Sequence, residues 1–217
     1  MPRNSGAIDI NLLINFLKQR YPDSKCALIF HNDYQLLVSI ILSAQTTDKA
    51  VNKVTPALYA KYPNFHALGL ATPEEIAPYI KLLGLYKSKS FNLSNLGKIV
   101  DTKPLPLDFN ELVKLPGVGR KTAGVFLLEK GIASIFPVDT HIKRISNRLK
   151  LSTSSDVNKI SQRLSKIIPK PEWFFLHHAL ITFGRDLCSA QKPKCEECDL
   201  KEHCPFYLKK TSSTTFK

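Results

Sequence analysis

Apolar residues recur along the chain at spacings of three and four, and the alternating Val, Ile and Thr runs of β-strands are missing. The pattern predicts an all-α protein. Residues 8–20 place Leu12, Leu13, Phe16 and Leu17 on one stripe before Tyr21-Pro22 stops it. Asn32 or Asp33 can cap a strongly apolar helix reaching Ile41 and Leu42, and Thr46 or Thr47 can open the next, with Val51, Val54 and Leu58 inward. Pro56 is expected to kink or split that helix, because proline lacks the helical N–H and clashes with the preceding turn. Thr72-Pro73-Glu74-Glu75 is a capping box with proline at the first helical position, and Asp108 with Glu111 repeats the device. Further helices are predicted over residues 88–100, 108–115, 120–130, 140–149, 155–168 and 171–183, the last closed by Gly184. No repeat of solenoid period is visible, and residues 209–217 read as a disordered tail.

Two hundred and seventeen residues, 43% apolar and 23% charged, can bury a real core in one domain or two modest ones. The longest mostly apolar stretch runs from Leu36 to Ala44, is interrupted by Ser39 and Ser43, and is far shorter than the ~20 residues of a spanning helix. The first nine residues carry no apolar run after Arg3, so a secretory signal is not expected. These features predict a protein of the cytoplasm without a membrane partner.

Charge departs from the average. Thirty-one Lys and Arg against 18 Asp and Glu leave a net charge of +13, which suits a polyanion. An anionic membrane would call for a basic amphipathic helix or a polybasic tail. Charge by itself leaves nucleic acid and simple solubility both open.

Three local patterns carry more chemistry. Leu115-Pro116-Gly117-Val118-Gly119-Arg120-Lys121-Thr122-Ala123 lies between two predicted helices. Its glycines permit a tight hairpin whose backbone N–H groups sit unhindered beside a helix N-terminus, a place for an anion, with Arg120 and Lys121 at its mouth. A DNA backbone phosphate fits, and so does a plain glycine turn between antiparallel helices.

Cys188, Cys195, Cys198 and Cys204 form a C-x6-C-x2-C-x5-C run that places four of the five cysteines within seventeen residues. Thiols this dense in a cytosolic chain argue for metal over disulfide. Zinc and a four-iron cluster both accept four thiolates, and the single C-x2-C knuckle leans towards iron–sulfur. Between the first two cysteines, Lys192 and Lys194 sit on a short pinned loop that suits a second phosphate contact or is simply solvated. Cys26, far from the run, is expected to be a buried structural thiol.

In Val138-Asp139-Thr140-His141-Ile142-Lys143-Arg144, Asp139 stands at the N-cap of a helix with Ile142, Ile145 and Leu149 inward. Capping alone accounts for the aspartate. The same hydrogen bonds would keep a carboxylate ionised, as a stabiliser of a positively charged sugar must be.

Together these residues resemble the endonuclease III family of base-excision DNA glycosylases, from Leu42-Ser43-Ala44-Gln45 to Cys204. Gly84-Leu85-Tyr86-Lys87-Ser88-Lys89, the 115–123 hairpin, residues 138–144, His177-His178 with Gly184-Arg185, and the cysteine spacing are similar to that family's landmarks in order. The resemblance implies the all-α helix-hairpin-helix glycosylase fold. A six-helix domain over residues 25–134 would contain the hairpin, an iron–sulfur domain would form from residues 1–24 and 135–217, and duplex DNA with damaged bases or abasic sites would lie across the cleft between them. It implies Lys121 as the nucleophile, Asp139 as its catalytic partner, and Cys188, Cys195, Cys198 and Cys204 as ligands of a [4Fe-4S] cluster. Gln45 would fill the space left by a flipped nucleotide, Leu85 would wedge into the opposite strand, and Gly117, Val118, Gly119 and Arg120 would hold the backbone. A monomer on the nucleoid of a prokaryotic cell is the expected setting. Gly124, Ala179 and Phe183 depart from the pattern and leave substrate preference open.

The implied reaction extracts the nucleotide, attacks the sugar C1′ with lysine, and cuts the strand by β-elimination. A free lysine is only about one part in 10³ neutral at pH 7, so the nucleophile needs help from the helix end, neighbouring cations and partial burial. Two other readings stay in view. A monofunctional mismatch glycosylase of the same superfamily would not need Lys121, and a helix-hairpin-helix protein that only binds DNA has no use for Asp139.

Overall fold

The computed structural model describes residues 6–214. Its described residues form twelve α-helices and no strand: α1 (Ile10–Arg20), α2 (Asp33–Leu42), α3 (Asp48–Lys61), α4 (Phe65–Leu70), α5 (Pro73–Ile80), α6 (Tyr86–Asp101), α7 (Phe109–Leu112), α8 (Arg120–Glu129), α9 (Thr140–Arg148), α10 (Val157–Ile167), α11 (Trp173–Asp186) and α12 (Pro205–Thr214). The all-α expectation holds. Among the described residues no helix is long and apolar enough to cross a membrane.

Local side chains start most of these helices. Asp9, Asn32, Thr47, Asn64, Thr72, Asp108, Asp139 and Asp156 each accept a hydrogen bond from a backbone N–H of the turn they open. At Thr72 the box closes both ways, with Glu75 accepting from the Thr72 N–H at 2.8 Å. Asp108 caps in the same way, but Glu111 turns to Lys114 at 2.6 Å. Helices α6 and α8 differ, opening at Leu85 and Gly119 with no side-chain cap.

The chain divides into two compact units. The unit Cys26–Ser134 is built around α2, which buries Tyr34 and every residue from Leu36 to Leu42 and is therefore apolar on all faces. Helices α3, α6 and α8 pack on it. Helix α4 crosses α6 where glycine meets glycine. A Cβ on Gly69 would stand 2.7 Å from the Gly97 carbonyl carbon, and one on Gly97 would stand 2.6 Å from the Gly69 Cα. Helix α3 runs unbroken through Pro56, against the expected split. Val51, Val54 and Leu58 hold it to the core, and Pro56 sits on the exposed face, where water can take the orphaned carbonyl. Cys26 is half-buried rather than buried, and its burial with Glu129 nearby pushes the thiol up to about 12.

The other unit joins the segment up to Lys25 to everything from Ile135 on. Helix α11 is its centre, burying Trp173, Leu176, His177, His178, Ala179, Leu180 and Phe183. The Phe16 ring of α1 meets Phe183 edge-on at 5.4 Å, and the Ile8 N–H donates to the Leu149 carbonyl at 3.1 Å. Gly184 does not close α11, which continues to Asp186. Its role is close approach: a Cβ there would lie 2.9 Å from the His141 Cβ of α9. Residues 209–214, expected to be disordered, continue α12, while the last three residues of the expected tail lie outside the described ones.

Candidate nucleic-acid interface and active site

The hairpin between α7 and α8 closes on a hydrogen bond from the Val118 N–H to the Leu115 carbonyl at 3.1 Å. Gly117 adopts φ +76°, and a Cβ there would stand 3.1 Å from the Asn92 Cβ and 3.2 Å from Ile41 Cγ2, so both backbone and space demand glycine. Val118 turns its side chain into the core, 5% exposed, so any outward contact it makes uses backbone. Gly119 is different. Its backbone is extended, and an added Cβ would meet nothing within 4 Å. Beside it the first turn of α8 presents exposed Arg120 and Lys121, with the Arg120 guanidinium 4.9 Å above the Phe109 ring. An uncapped helix start, an open glycine and two cations give an anion a backbone seat and a charge partner. Lys121 stands exposed in the free protein, so the partial burial expected for it is not present there.

Two non-glycine residues of this same unit adopt left-handed backbone, Gln45 at φ 54° and Leu85 at φ 60°. Both are exposed, Leu85 to 58%. Their turns are neighbours, since a Cβ on Gly84 would lie 3.8 Å from the Gln45 carbonyl oxygen. Strain of this kind costs about 1–3 kcal/mol per residue and concentrates at functional sites. The apolar side chain at one turn and the amide at the other are the types that wedge a base stack and fill a vacated position.

In the other unit, Asp139 caps α9 by accepting from the Ile142 N–H at 2.8 Å and is half-buried. Two residues on, burial pushes His141 below its usual range; the Asp139 charge opposes this, and the Arg144 and Arg185 cations reinforce it. Arg144 donates to the Gly184 carbonyl at 2.8 Å and the Cys188 carbonyl at 3.0 Å, so α9 is tied both to α11 and to the start of the cysteine segment.

Cys188, Cys195, Cys198 and Cys204 are all half-buried and line one cavity, walled by apolar side chains that include Leu149, Phe183 and Leu200. Burial raises the Cys198 thiol to about 11, and burial with the neighbouring cysteines raises Cys195 and Cys204. Among the described residues no three His, Cys, Asp or Glu side chains meet where one metal ion could sit. The residue that organises this segment is one the sequence did not single out. Arg148 donates to the Cys188 sulfur at 3.3 Å, to the Ser189 carbonyl at 2.6 Å and to the Ala190 carbonyl at 2.9 Å, and stacks 4.5 Å from the Phe206 ring. Of the two loop lysines, Lys192 is exposed and Lys194 approaches Asp186 at 3.8 Å.

The family model for HhH-GPD superfamily base excision DNA repair proteins matches residues 38–170. An endonuclease III of Synechocystis sp. is 43% identical over 199 residues, covering 89% of this chain and 90% of its own. The Bacillus subtilis endonuclease III is 41% identical over 201 residues, at 90% and 91% coverage. Among solved structures, a trapped endonuclease III–DNA covalent intermediate superposes with a TM-score of 0.87 at 39% identity, over 93% of this chain and 97% of that one. The chain belongs to the endonuclease III family of HhH-GPD base excision DNA repair proteins.

Proposed function

We propose that this protein is a bifunctional DNA glycosylase and abasic-site lyase that removes oxidised pyrimidines from duplex DNA. The observation that carries the reading is Lys121, an exposed amine in the uncapped first turn of α8, directly after a hairpin with an open backbone seat at Gly119. A solved relative forms a covalent intermediate with DNA, and Lys121 supplies the group for one here. The amine attacks C1′, the base departs with the glycosidic electron pair, and the sugar ring opens to an imine on Lys121. Loss of a proton from C2′ then expels the 3′ phosphate. Asp139, half-buried and held at the start of α9, supplies the carboxylate that stabilises the growing positive charge of the sugar. DNA covering the exposed lysine excludes the water that the free protein leaves around it.

Gly117, Val118, Gly119 and Arg120 hold a backbone phosphate, Gln45 and Leu85 enter the stack, and Lys192 and Lys194 add a second backbone contact. In this reading the unit Cys26–Ser134 is the hairpin domain, and the unit formed from both chain ends is the iron–sulfur domain. Cys188, Cys195, Cys198 and Cys204 hold a [4Fe-4S] cluster. Four thiols lining one cavity suit a four-thiolate centre, and the single C-x2-C knuckle favours iron–sulfur over a structural zinc with two such knuckles. The cluster's contribution when bound is to staple the loop that carries the two lysines. Equimolar iron and acid-labile sulfide in the purified protein test this assignment, and zinc alone would overturn it. The protein works as a monomer on nucleoid DNA in the cytoplasm.

The activity is tested with a duplex carrying one thymine glycol: base release and strand cleavage should occur in step. Release without cleavage would make the protein monofunctional, and binding without either would make it a binding module. At Gly119, alanine should leave the melting temperature unchanged, because the added methyl meets nothing. DNA affinity should nevertheless fall about tenfold, since the methyl stands where the phosphate oxygens approach the helix N–H groups. A filter-binding titration at fixed salt reads the difference.

A further inference from the structure

Among the described residues, Lys89 is the one buried Lys or Arg side chain, 4% exposed in the first turn of α6. A buried ammonium is unfavourable unless its protons find acceptors, and here they do. Nζ donates to the Leu42 carbonyl and to Thr46 Oγ1, each at 2.9 Å. Leu42 is the last residue of α2, so its carbonyl belongs to the negative end of that helix, where a cation is favoured. Between the two acceptors lies the turn in which Gln45 is left-handed. The backbone N–H of Lys89 meanwhile donates to the Leu85 carbonyl at 2.9 Å, closing the turn in which Leu85 is left-handed. One residue thus holds both strained turns, one with its side chain and the other with its backbone.

We infer that Lys89 is a positioning residue for entry into the duplex: it locks the Gln45 and Leu85 turns into one rigid pair, so that the free protein already carries them in the form that enters the base stack. The inference rests on the roles of Gln45 and Leu85 proposed above. Lys89 has no part in bond-making at the sugar. Its loss should therefore matter where a stacked base must be displaced and not where the sugar is already accessible.

The test compares an abasic site in an intact duplex with the same site in a single strand, using wild type, Lys89→Met and Thr46→Val. Lys89→Met keeps the apolar stem and removes the donor. Duplex cleavage should fall about tenfold to a hundredfold, the scale of a small misplacement at a reacting site. Borohydride trapping on the single strand should stay at the wild-type level. With 2-aminopurine opposite the site, the rise in fluorescence on binding should be lost in the variant. Thr46→Val removes one acceptor, should show the same selective loss more weakly, and decides the question if Lys89→Met does not fold. Equal losses on both DNAs, or no loss on the duplex, would overturn the inference. If wild type traps neither DNA, the lyase reading fails, and the 2-aminopurine signal still decides the role of Lys89.

Discussion

Replacing Lys121 by alanine will abolish the adduct that borohydride traps on a thymine glycol duplex, and cleavage at an abasic site will fall by about 10³-fold or more. The size of the effect follows from the chemistry. Without the amine there is no imine, and without an imine no electron sink makes the C2′ proton removable. Lys121 is exposed and lies in a helix whose buried residues begin at Ala123, so the substitution leaves the core of α8 intact. DNA binding should survive at a slightly reduced level, because Arg120 and the backbone seat at Gly119 remain. Asp139→Asn sharpens the comparison. An asparagine oxygen can still accept from the Ile142 N–H, so α9 stays capped while the negative charge is gone. Its base-release rate should fall about 10²–10³-fold, the scale of a lost electrostatic stabiliser. An adduct that persists in Lys121→Ala would move the nucleophile elsewhere.

The second large effect is structural and falls on the crossing of α4 and α6. Gly97→Ala should destabilise the protein by about 3 kcal/mol or more and lower its melting temperature by roughly 6–12 °C. The added carbon would lie 2.6 Å from the Gly69 Cα and 2.8 Å from the Phe65 carbonyl oxygen. Those neighbours are backbone, so no rotamer change relieves the overlap and the helices must separate. Gly131 provides the contrast. It has φ +73° but open space around the missing Cβ, so alanine there brings conformational strain alone, about 1 kcal/mol. Thermal unfolding followed by circular dichroism ranks the two, and an unchanged midpoint for Gly97→Ala would mean that the crossing is looser than these distances.

What could be read from the sequence, and what could not, divides by the range of the interaction. Caps at Asn32, Thr72 and Asp139 act within one turn, so the residue and its place along the pattern suffice to find them. Helix α4 has only six residues, too few to display a period, and its glycine serves a neighbour distant in sequence. Gly184 was open to misreading for the same reason, because a glycine near a helix end signals a stop unless another helix needs its space. Lys89 and Arg148 are hidden differently. In a chain with 31 basic residues nothing local separates a buried or carbonyl-bound cation from a solvated one. The departures at Gly124, Ala179 and Phe183 are buried, so each is a change of packing whose bearing on substrate preference is not legible in the sequence.

That one unit is assembled from both chain ends has a consequence for the order of events during synthesis. Helix α1 is synthesised well before the residues it packs on: its Phe16 rests on Phe183, and Ile8 just ahead of it hydrogen-bonds to Leu149. At about 5–20 residues per second its partners follow on the order of ten seconds later. During that interval the intervening unit, Cys26–Ser134, is completed from one continuous segment, whereas α1 must wait with its apolar stripe uncovered. The stripe is short, and Lys18 and Arg20 follow it in the last turn of the helix, where charge beside an uncovered apolar run opposes aggregation. The cysteine segment emerges after α1, α9 and α11, so loading of a metal centre would complete this unit rather than start it.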